Sequence, residues 1–141
     1  MNQTNLTRAI TVGILWLAAA AWAQTPAPTG AEVYILSPAD GAVVESPFPV
    51  KFGLKGMGVA PAGVDVANTG HHHLLIDVTD LPPAGKPVPA DDRHLHFGGG
   101  QTETTLDLPP GRHTLQLIMG DKHHLPHDPP VVSPLVTIEV R

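Results

Sequence analysis

Prolines and glycines divide this sequence so finely that only short regular elements fit between them. The chain of 141 residues holds 16 prolines and 14 glycines. Proline lacks a backbone donor and glycine loses much entropy inside regular structure, so both residues favour turns over element interiors. Several of the runs between them alternate apolar and polar side chains, a period of two that is typical of half-buried β-strands. No convincing 3.6-residue periodicity accompanies them, and the sequence therefore predicts an all-β protein.

The alternating runs predict about seven strands. In the clearest of them Phe48, Val50, Phe52 and Leu54 fall on one face. Short strands separated by Gly and Pro turns favour an immunoglobulin-like antiparallel β-sandwich, while their uneven spacing leaves a small barrel as the alternative. The predicted strands cover 32–38, 48–56, 71–78, 93–97, 102–108, 111–121 and 134–141.

The first 23 residues predict a secretory signal peptide. Arg8 precedes a long apolar run that ends in Ala21-Trp22-Ala23, small residues where a signal peptidase cleaves. An uncleaved anchor is the alternative, but the run is short for a transmembrane span. We expect a periplasmic or secreted protein that begins near Gln24 and has no stable membrane span after cleavage. Residues 24–31 predict a flexible Pro/Thr/Ala leader, and 32–141 a single domain.

Charge and cysteine content exclude several classes of partner and of site. Beyond residue 23 the chain carries seven Lys and Arg against thirteen Asp and Glu. This acidic balance argues against a nucleic-acid partner, which requires clustered positive charge, but it does not argue against cations. The chain has no cysteine, which excludes disulfides, a lipid-anchored lipoprotein and a blue-copper site. Stability must therefore come from packing or from a bound metal.

Nine histidines dominate the polar chemistry, and strand geometry sorts the first three. Successive side chains of a strand point to opposite faces, so His71 and His73 share one face and lie roughly 7 Å apart. His72 points the other way, in phase with an apolar face. That face comprises Leu74, Ile76 and Val78. His94 and His96 repeat the His-x-His spacing.

Two further histidines lie in a loop stiffened by prolines. His124 and His127 are three residues apart between Asp121 and Pro130, and a stiff loop loses less entropy on binding. The long loops at 121–133, 56–70 and 80–92 exceed what a connection needs, which indicates function. His113, at a strand start, is interpreted instead as a structural hydrogen bonder.

Together these segments predict a transition-metal site. Neutral imidazole suits Zn(II) and Cu(II), whereas calcium prefers oxygen ligands and Cu(I) prefers Cys or Met. The glycines at 98–100 predict a tight turn that also lets backbone approach the histidines closely. The candidate ligands are His71, His73, His94, His96, His124 and His127. The candidate outer-sphere partners, which would orient the ligand rings, are Asp77, Gln101, Glu103 and Asp121.

Three motifs carry a family resemblance: "NTGHHHLLID", "LHFGGGQTETTLDLPPGRHTLQLIMGD" and "HHLPHDPPVVSP". Over about 55–141 the chain resembles an uncharacterised family of bacterial exported domains, known only as a domain of unknown function. The resemblance implies a compact periplasmic β-domain and brings no established activity. The histidines at motif positions are His71, His72, His73, His96, His113, His124 and His127.

Three functional hypotheses follow. The first is a metal-binding protein for sequestration or delivery of Cu(II) or Zn(II), with His73, His96, His124 and His127 converging at one end or face of the sandwich. Its metal is expected to leave as pH falls from about 7 towards 5, because protons compete for imidazole nitrogen. The second is a non-enzymatic interaction domain of the cell envelope, with an envelope protein as partner and a structural histidine network. The third is a metal-dependent enzyme with a base such as Glu103 or Asp121, although nothing in the sequence demands catalysis.

Overall fold

A computed structural model describes residues 23–141. The predicted signal peptide lies almost wholly outside the described residues, and its cleavage stays a prediction. Within residues 23–141 all regular elements are β-strands, and no helix there is long and apolar enough to cross a membrane. The strands are β1 (Glu32–Ser37), β2 (Val43–Val44), β3 (Phe48–Lys55), β4 (Gly58–Val59), β5 (Thr69–Ile76), β6 (His94–His96), β7 (Glu103–Leu106), β8 (Gly111–Gly120) and β9 (Val136–Val140).

The strands form two sheets that pack as a sandwich. One sheet has the order β1-β3-β7, and the other has the order β2-β9-β8-β5-β4 with β6 also paired to β5. The all-β sandwich prediction is thereby confirmed, while the immunoglobulin-like topology stays a prediction. The seven longest strands coincide with the seven predicted ones. The two additions, β2 and β4, have two residues each, too few for an alternating pattern to reveal.

The core lies between the sheets and follows the alternation. In β3 the buried residues Phe48, Val50 and Phe52 alternate with exposed ones, and they pack against Leu74 of β5 and Leu117 of β8. Burying a side chain of this kind contributes roughly 1.5–3 kcal/mol relative to leaving it exposed. The same period of two therefore fixes which side chains of β5 face the core and which face away from it.

A second, smaller apolar cluster covers the outer face of the larger sheet. Leu75, Ile118 and Val88 form it, and Val88 comes from the loop that follows β5. Val78 also packs there, although the sequence predicted it on the core face with Leu74. The reason is Asp77, whose φ of 54° interrupts the strand and turns the next side chain to the other side.

The leader is part of the folded structure. The amide of Ala27 donates to the carbonyl of Asp128 at 2.9 Å, and the amide of Asp128 donates to the carbonyl of Thr25 at 3.0 Å. Residues 24–27 thus run beside the loop that follows β8, where the sequence predicted a flexible segment. Composition alone could not reveal this pairing, because it depends on backbone groups that only the folded loop presents.

Candidate metal centre

Four imidazole rings meet on the outer face of the larger sheet. They belong to His71, His73, His96 and His124, and one ligand nitrogen from each lies within 4.8 Å of the others. The ring centroids of neighbouring members are 4.7–5.1 Å apart, and only those of His73 and His124 are farther, at 6.1 Å. We call these four residues the histidine cluster. It is a compact nitrogen-only donor set of the size that a single ion requires.

Strand register brings the cluster together. His71 and His73 project from the same face of β5, because they are two residues apart. The pairing of β5 with β6 places His96 directly opposite His73. On the other side of β5, the register sets His71 opposite Gly120, the last residue of β8. The loop that begins there turns back and delivers His124, so three separate segments supply the four rings.

Two glycines make room for the rings. A Cβ at Gly120 would lie 2.7 Å from Nε2 of His73 and 3.4 Å from the Cα of His124. A Cβ at Gly98 would overlap the ring of His96. Any other residue at these two positions would displace a cluster ring, so the backbone leaves the space that the imidazoles fill. The predicted close approach of the 98–100 turn to the histidines is confirmed at Gly98.

Hydrogen bonds between neutral rings do not satisfy this arrangement. Nε2 of His71 is 3.1 Å from Nε2 of His73 and also 3.1 Å from Nδ1 of His124. A neutral imidazole has one N–H and one in-plane lone pair, so this nitrogen serves only one neighbour well. Among the described residues, the buried Nδ1 atoms of His71 and His73 have no partner. One of the two 3.1 Å contacts of His71 Nε2 is therefore left without a good hydrogen bond, and a cation bound by all three nitrogens would relieve this.

Loss of hydration lowers the pKa of three histidines of the cluster, His71, His73 and His96. His71 and His73 are 0% and 1% exposed. Loss of hydration, followed by the proximity of other histidines, lowers the pKa of His71 to about 4 and that of His73 to about 3. The same causes lower the pKa of His96. At neutral pH these nitrogens are unprotonated, which is the form that binds metal.

The cluster is open on one side. His96 is exposed and His124 is half-buried, whereas the β5 pair is inaccessible. An ion would thus approach past His96 and His124 and meet the buried nitrogens last. This arrangement differs from a closed structural site, in which all ligands are shielded and the metal exchanges slowly.

The loop that carries His124 is held by Asp121. Oδ1 of Asp121 accepts from the amides of His123 and Leu125 at 2.8 and 3.0 Å, and Oδ2 accepts from the hydroxyl of Thr25 at 2.7 Å. Burial alone raises the pKa of this carboxyl, but the hydroxyl and amide donors more than offset it and leave the pKa below its usual range. Asp121 is therefore an ionised organiser of the ligand loop.

Two predicted ligands lie outside the cluster. His94 shares a face with His96 but donates from Nδ1 to Asp91 at 2.8 Å. His127 is fully buried, and its ring nitrogens face the carbonyls of Met119 at 3.4 Å and Thr69 at 3.3 Å. Of the four histidines predicted to converge, His73, His96 and His124 belong to the cluster, whereas His127 is not part of it.

Of the predicted outer-sphere partners, only Asp121 acts near the cluster. Asp77 instead accepts from His113 Nδ1 at 2.7 Å and from the amide of Thr114 at 2.9 Å. The side chain of Gln101 accepts from the amide of Gly99. Glu103 lies in β7, in the other sheet.

His113 is the hydrogen bonder that the sequence predicted. Nε2 of His113 lies 2.9 Å from the carbonyl oxygen of Pro109 and Nδ1 lies 2.7 Å from Oδ2 of Asp77, so the protonated ring can donate to both. His72 lies on the core side with its ring centroid 5.1 Å from that of Phe52, as the alternation predicted. Sequence reasoning missed Gly120 and Thr25, and no local pattern marks either one, since each acts through a contact distant in sequence.

Comparison with known proteins identifies a family. The family model described as a domain of unknown function (DUF4399) matches residues 50–141, more than half of the chain. This match confirms the resemblance predicted from the histidine and glycine motifs. No curated protein and no solved structure matches the chain.

Proposed function

The chain belongs to the family of the domain of unknown function DUF4399, and we propose that it is a periplasmic or secreted protein that binds Cu(II) or Zn(II). The histidine cluster is the binding site, and the function is sequestration or delivery of the ion. One observation carries the proposal: four imidazole nitrogens from three segments meet within 4.8 Å of one another. Borderline divalent ions favour such nitrogen donors.

The nitrogen spacing fits an ion of this size. In a tetrahedral zinc site with bonds of about 2.05 Å, neighbouring ligand nitrogens are about 3.3 Å apart. Two nitrogen contacts of the cluster are 3.1 Å. A small expansion of these contacts and contraction of the longer ones would bring all four nitrogens to one centre. The ordering of divalent ions by affinity for nitrogen sites predicts tighter binding of Cu(II) than of Zn(II).

The other two hypotheses receive less support. In a purely structural network of neutral rings, Nε2 of His71 would be shared between Nε2 of His73 and Nδ1 of His124, each 3.1 Å away, although a neutral ring nitrogen serves only one neighbour well. An enzyme would need a base beside the metal. Glu103 lies in the other sheet, and both oxygens of Asp121 already accept hydrogen bonds. The open side near His96 suits the entry and release of an ion.

Titration of untagged protein with Cu(II) and Zn(II), in competition with a chromophoric chelator at about pH 7.4, tests the proposal. The informative variant is His96→Ala, because His96 is exposed and its removal spares the core. His94→Ala is the matched control, two residues away on the same strand face but bound to Asp91. We expect His96→Ala to weaken binding by more than roughly 100-fold, beyond the effect of losing an outer-sphere partner.

His124→Asn provides a second test. Asparagine tolerates the left-handed backbone that His124 adopts at φ 65°, so the loop keeps its shape while a ligand is lost. Loss of affinity in both His96→Ala and His124→Asn, with wild-type affinity in His94→Ala, supports the site. Wild-type protein that binds neither ion more tightly than His96→Ala would refute it.

A further inference from the structure

Residues 24–27, which we call the N-terminal strap, lie against the loop that supplies His124. Besides its two backbone hydrogen bonds to Asp128, the strap makes two side-chain contacts with this loop. Nε2 of Gln24 donates to the carbonyl of Pro126 at 3.0 Å, and Oγ1 of Thr25 donates to Oδ2 of Asp121 at 2.7 Å. The strap thus binds the loop on both sides of the ligand His124, at Asp121 and at Pro126.

The contact with Asp121 reaches the ligand in one further step. The other carboxylate oxygen of Asp121 accepts from the amides that flank His124 in sequence, those of His123 and Leu125. The carbonyl of Asp121 accepts from the amide of His124 itself at 2.8 Å. Thr25 therefore fixes the orientation of a carboxylate that in turn fixes the backbone on both sides of the ligand.

The ligand needs this support because its backbone conformation is an uncommon one. His124 has a φ of 65°, in the left-handed region that residues other than glycine adopt uncommonly, although histidine does so more often than most. Such a conformation persists only where surrounding contacts impose it. A second contact also holds this backbone, because the carbonyl of His124 accepts from the amide of Val88 at 2.8 Å. The Thr25–Asp121 pair supplies the remaining constraint from the side of the strap.

We propose that Thr25 is a positioning residue for the metal site, and that the N-terminal strap sets the affinity of the histidine cluster by holding His124 in its left-handed conformation. This inference rests on the proposed function. When the hydroxyl of Thr25 is lost, Asp121 rotates more freely and the loop samples conformations in which the ring of His124 leaves the cluster. The three ligands on β5 and β6 stay in place, since the sheet holds them. Metal binding therefore weakens without being abolished.

The experiment compares Thr25→Val with Thr25→Ser in the full chain. Valine has the shape of threonine without the hydroxyl, while serine keeps the hydroxyl. Thr29→Val is the control, because Thr29 is exposed and lies outside the strap. We expect Thr25→Val to weaken Cu(II) and Zn(II) binding by roughly tenfold, in the range of outer-sphere partners. Thr25→Ser and Thr29→Val should bind as the wild type does.

Two further measurements separate positioning from a general loss of stability. Amide hydrogen exchange should speed up in residues 121–128 of Thr25→Val and stay unchanged in β5. The visible spectrum of the Cu(II) complex should shift in Thr25→Val and return to the wild-type spectrum in Thr25→Ser. If wild type binds metal and Thr25→Val binds it equally well, the strap inference fails while the proposed function stands. If wild type binds neither ion, both fail together.

Discussion

The two ends of the β5–β8 ladder carry histidines of opposite character. At one end, His71 and His73 are buried among other imidazoles, and loss of hydration lowers their pKa values to about 4 and about 3. At the other end, hydrogen bonding to the carboxylate of Asp77 raises the pKa of His113. Both nitrogens of His113 face acceptors, the Asp77 carboxylate and the Pro109 carbonyl, so its protonated ring donates twice.

The difference shows that partners, and not residue type, decide what a histidine binds. The ring of His113 meets oxygen acceptors and therefore favours a proton. The rings of the histidine cluster meet other ring nitrogens, at 3.1 Å in two of their contacts. Among the described residues, the cluster consists of four histidines and contains no carboxylate. A site of this kind excludes protons at neutral pH and accommodates a cation that binds several nitrogens at once.

The largest effect that this comparison predicts is a loss of stability of the metal-free protein in acid. The unfolded chain protonates His71, His72 and His73 below about pH 6.5, whereas the folded chain resists protonation until the pH approaches 4. The free energy of unfolding must therefore decrease as pH falls through this window. At about 1.4 kcal/mol per pKa unit the total is several kcal/mol, comparable with the whole stability of a small domain.

Urea unfolding in the presence of chelator, between about pH 7.5 and about pH 5, measures this loss. A stability that stays constant or rises on acidification would show that the cluster is not buried and neutral. The lowered pKa values also revise the release of metal predicted from free histidine. At His71 and His73 protons compete with the ion only near the folded pKa values, so these two ligands should hold metal at pH values at which free histidine is already protonated.

The sequence predicted the faces of β5 but not the membership of the cluster. Alternation alone places His71 and His73 together and His72 opposite, because the side-chain period of a strand is two. It cannot choose His96 over His94, since both share a face and only the register with His73 decides between them. It cannot separate His124 from His127 either, because the turn of the loop follows from contacts with Asp121 and the strap.

The next largest predicted effect is a gain in stability, and it comes from replacing His72. This residue lies in the core against Phe52, and neither ring nitrogen makes a hydrogen bond among the described residues. Loss of hydration lowers its pKa to about 4, and the nearby backbone of Gln101 opposes this only in part. A buried polar group without a partner costs about 1–3 kcal/mol, so His72→Leu should raise the free energy of unfolding by roughly 1–2 kcal/mol.

His72→Leu should also leave metal affinity unchanged, because its side chain points away from the cluster. Urea unfolding and Cu(II) titration of the same preparation measure the two properties. A gain in stability with wild-type affinity would separate the two faces of β5 experimentally. Loss of metal binding in this variant would mean that the inner histidine contributes to the site, and the division into faces would be wrong.

Gly98→Ala should affect binding and spare stability. The added Cβ would overlap the ring of His96, but this ring is exposed and can rotate away towards solvent. We expect metal affinity to fall by roughly tenfold, or about 1.4 kcal/mol, because the added Cβ opposes the position of the His96 ring opposite His73 without removing the ligand. Thermal unfolding of the metal-free protein should change little. Gly99→Ala is the control, since the atoms nearest to a Cβ there belong to the side chain of Gln101.

The smallest expected effect lies at the proton-binding end of the ladder. Asp77→Asn removes the charge that His113 faces, while asparagine tolerates the φ of 54° at this position. A folded pKa above the unfolded value adds stability at pH values below about 6.5, and this stability disappears as pH rises through the folded pKa. The pair is partly exposed, so the loss should not exceed about 1 kcal/mol. It should be visible by urea unfolding at about pH 6 and absent at about pH 9.

Metal affinity of Asp77→Asn should be unchanged, because Asp77 pairs with His113 and Thr114. An equal loss at both pH values would mean that Asp77 acts through its hydrogen bond to the amide of Thr114 and not through the charge of His113. The two ends of the ladder would then differ in burial alone.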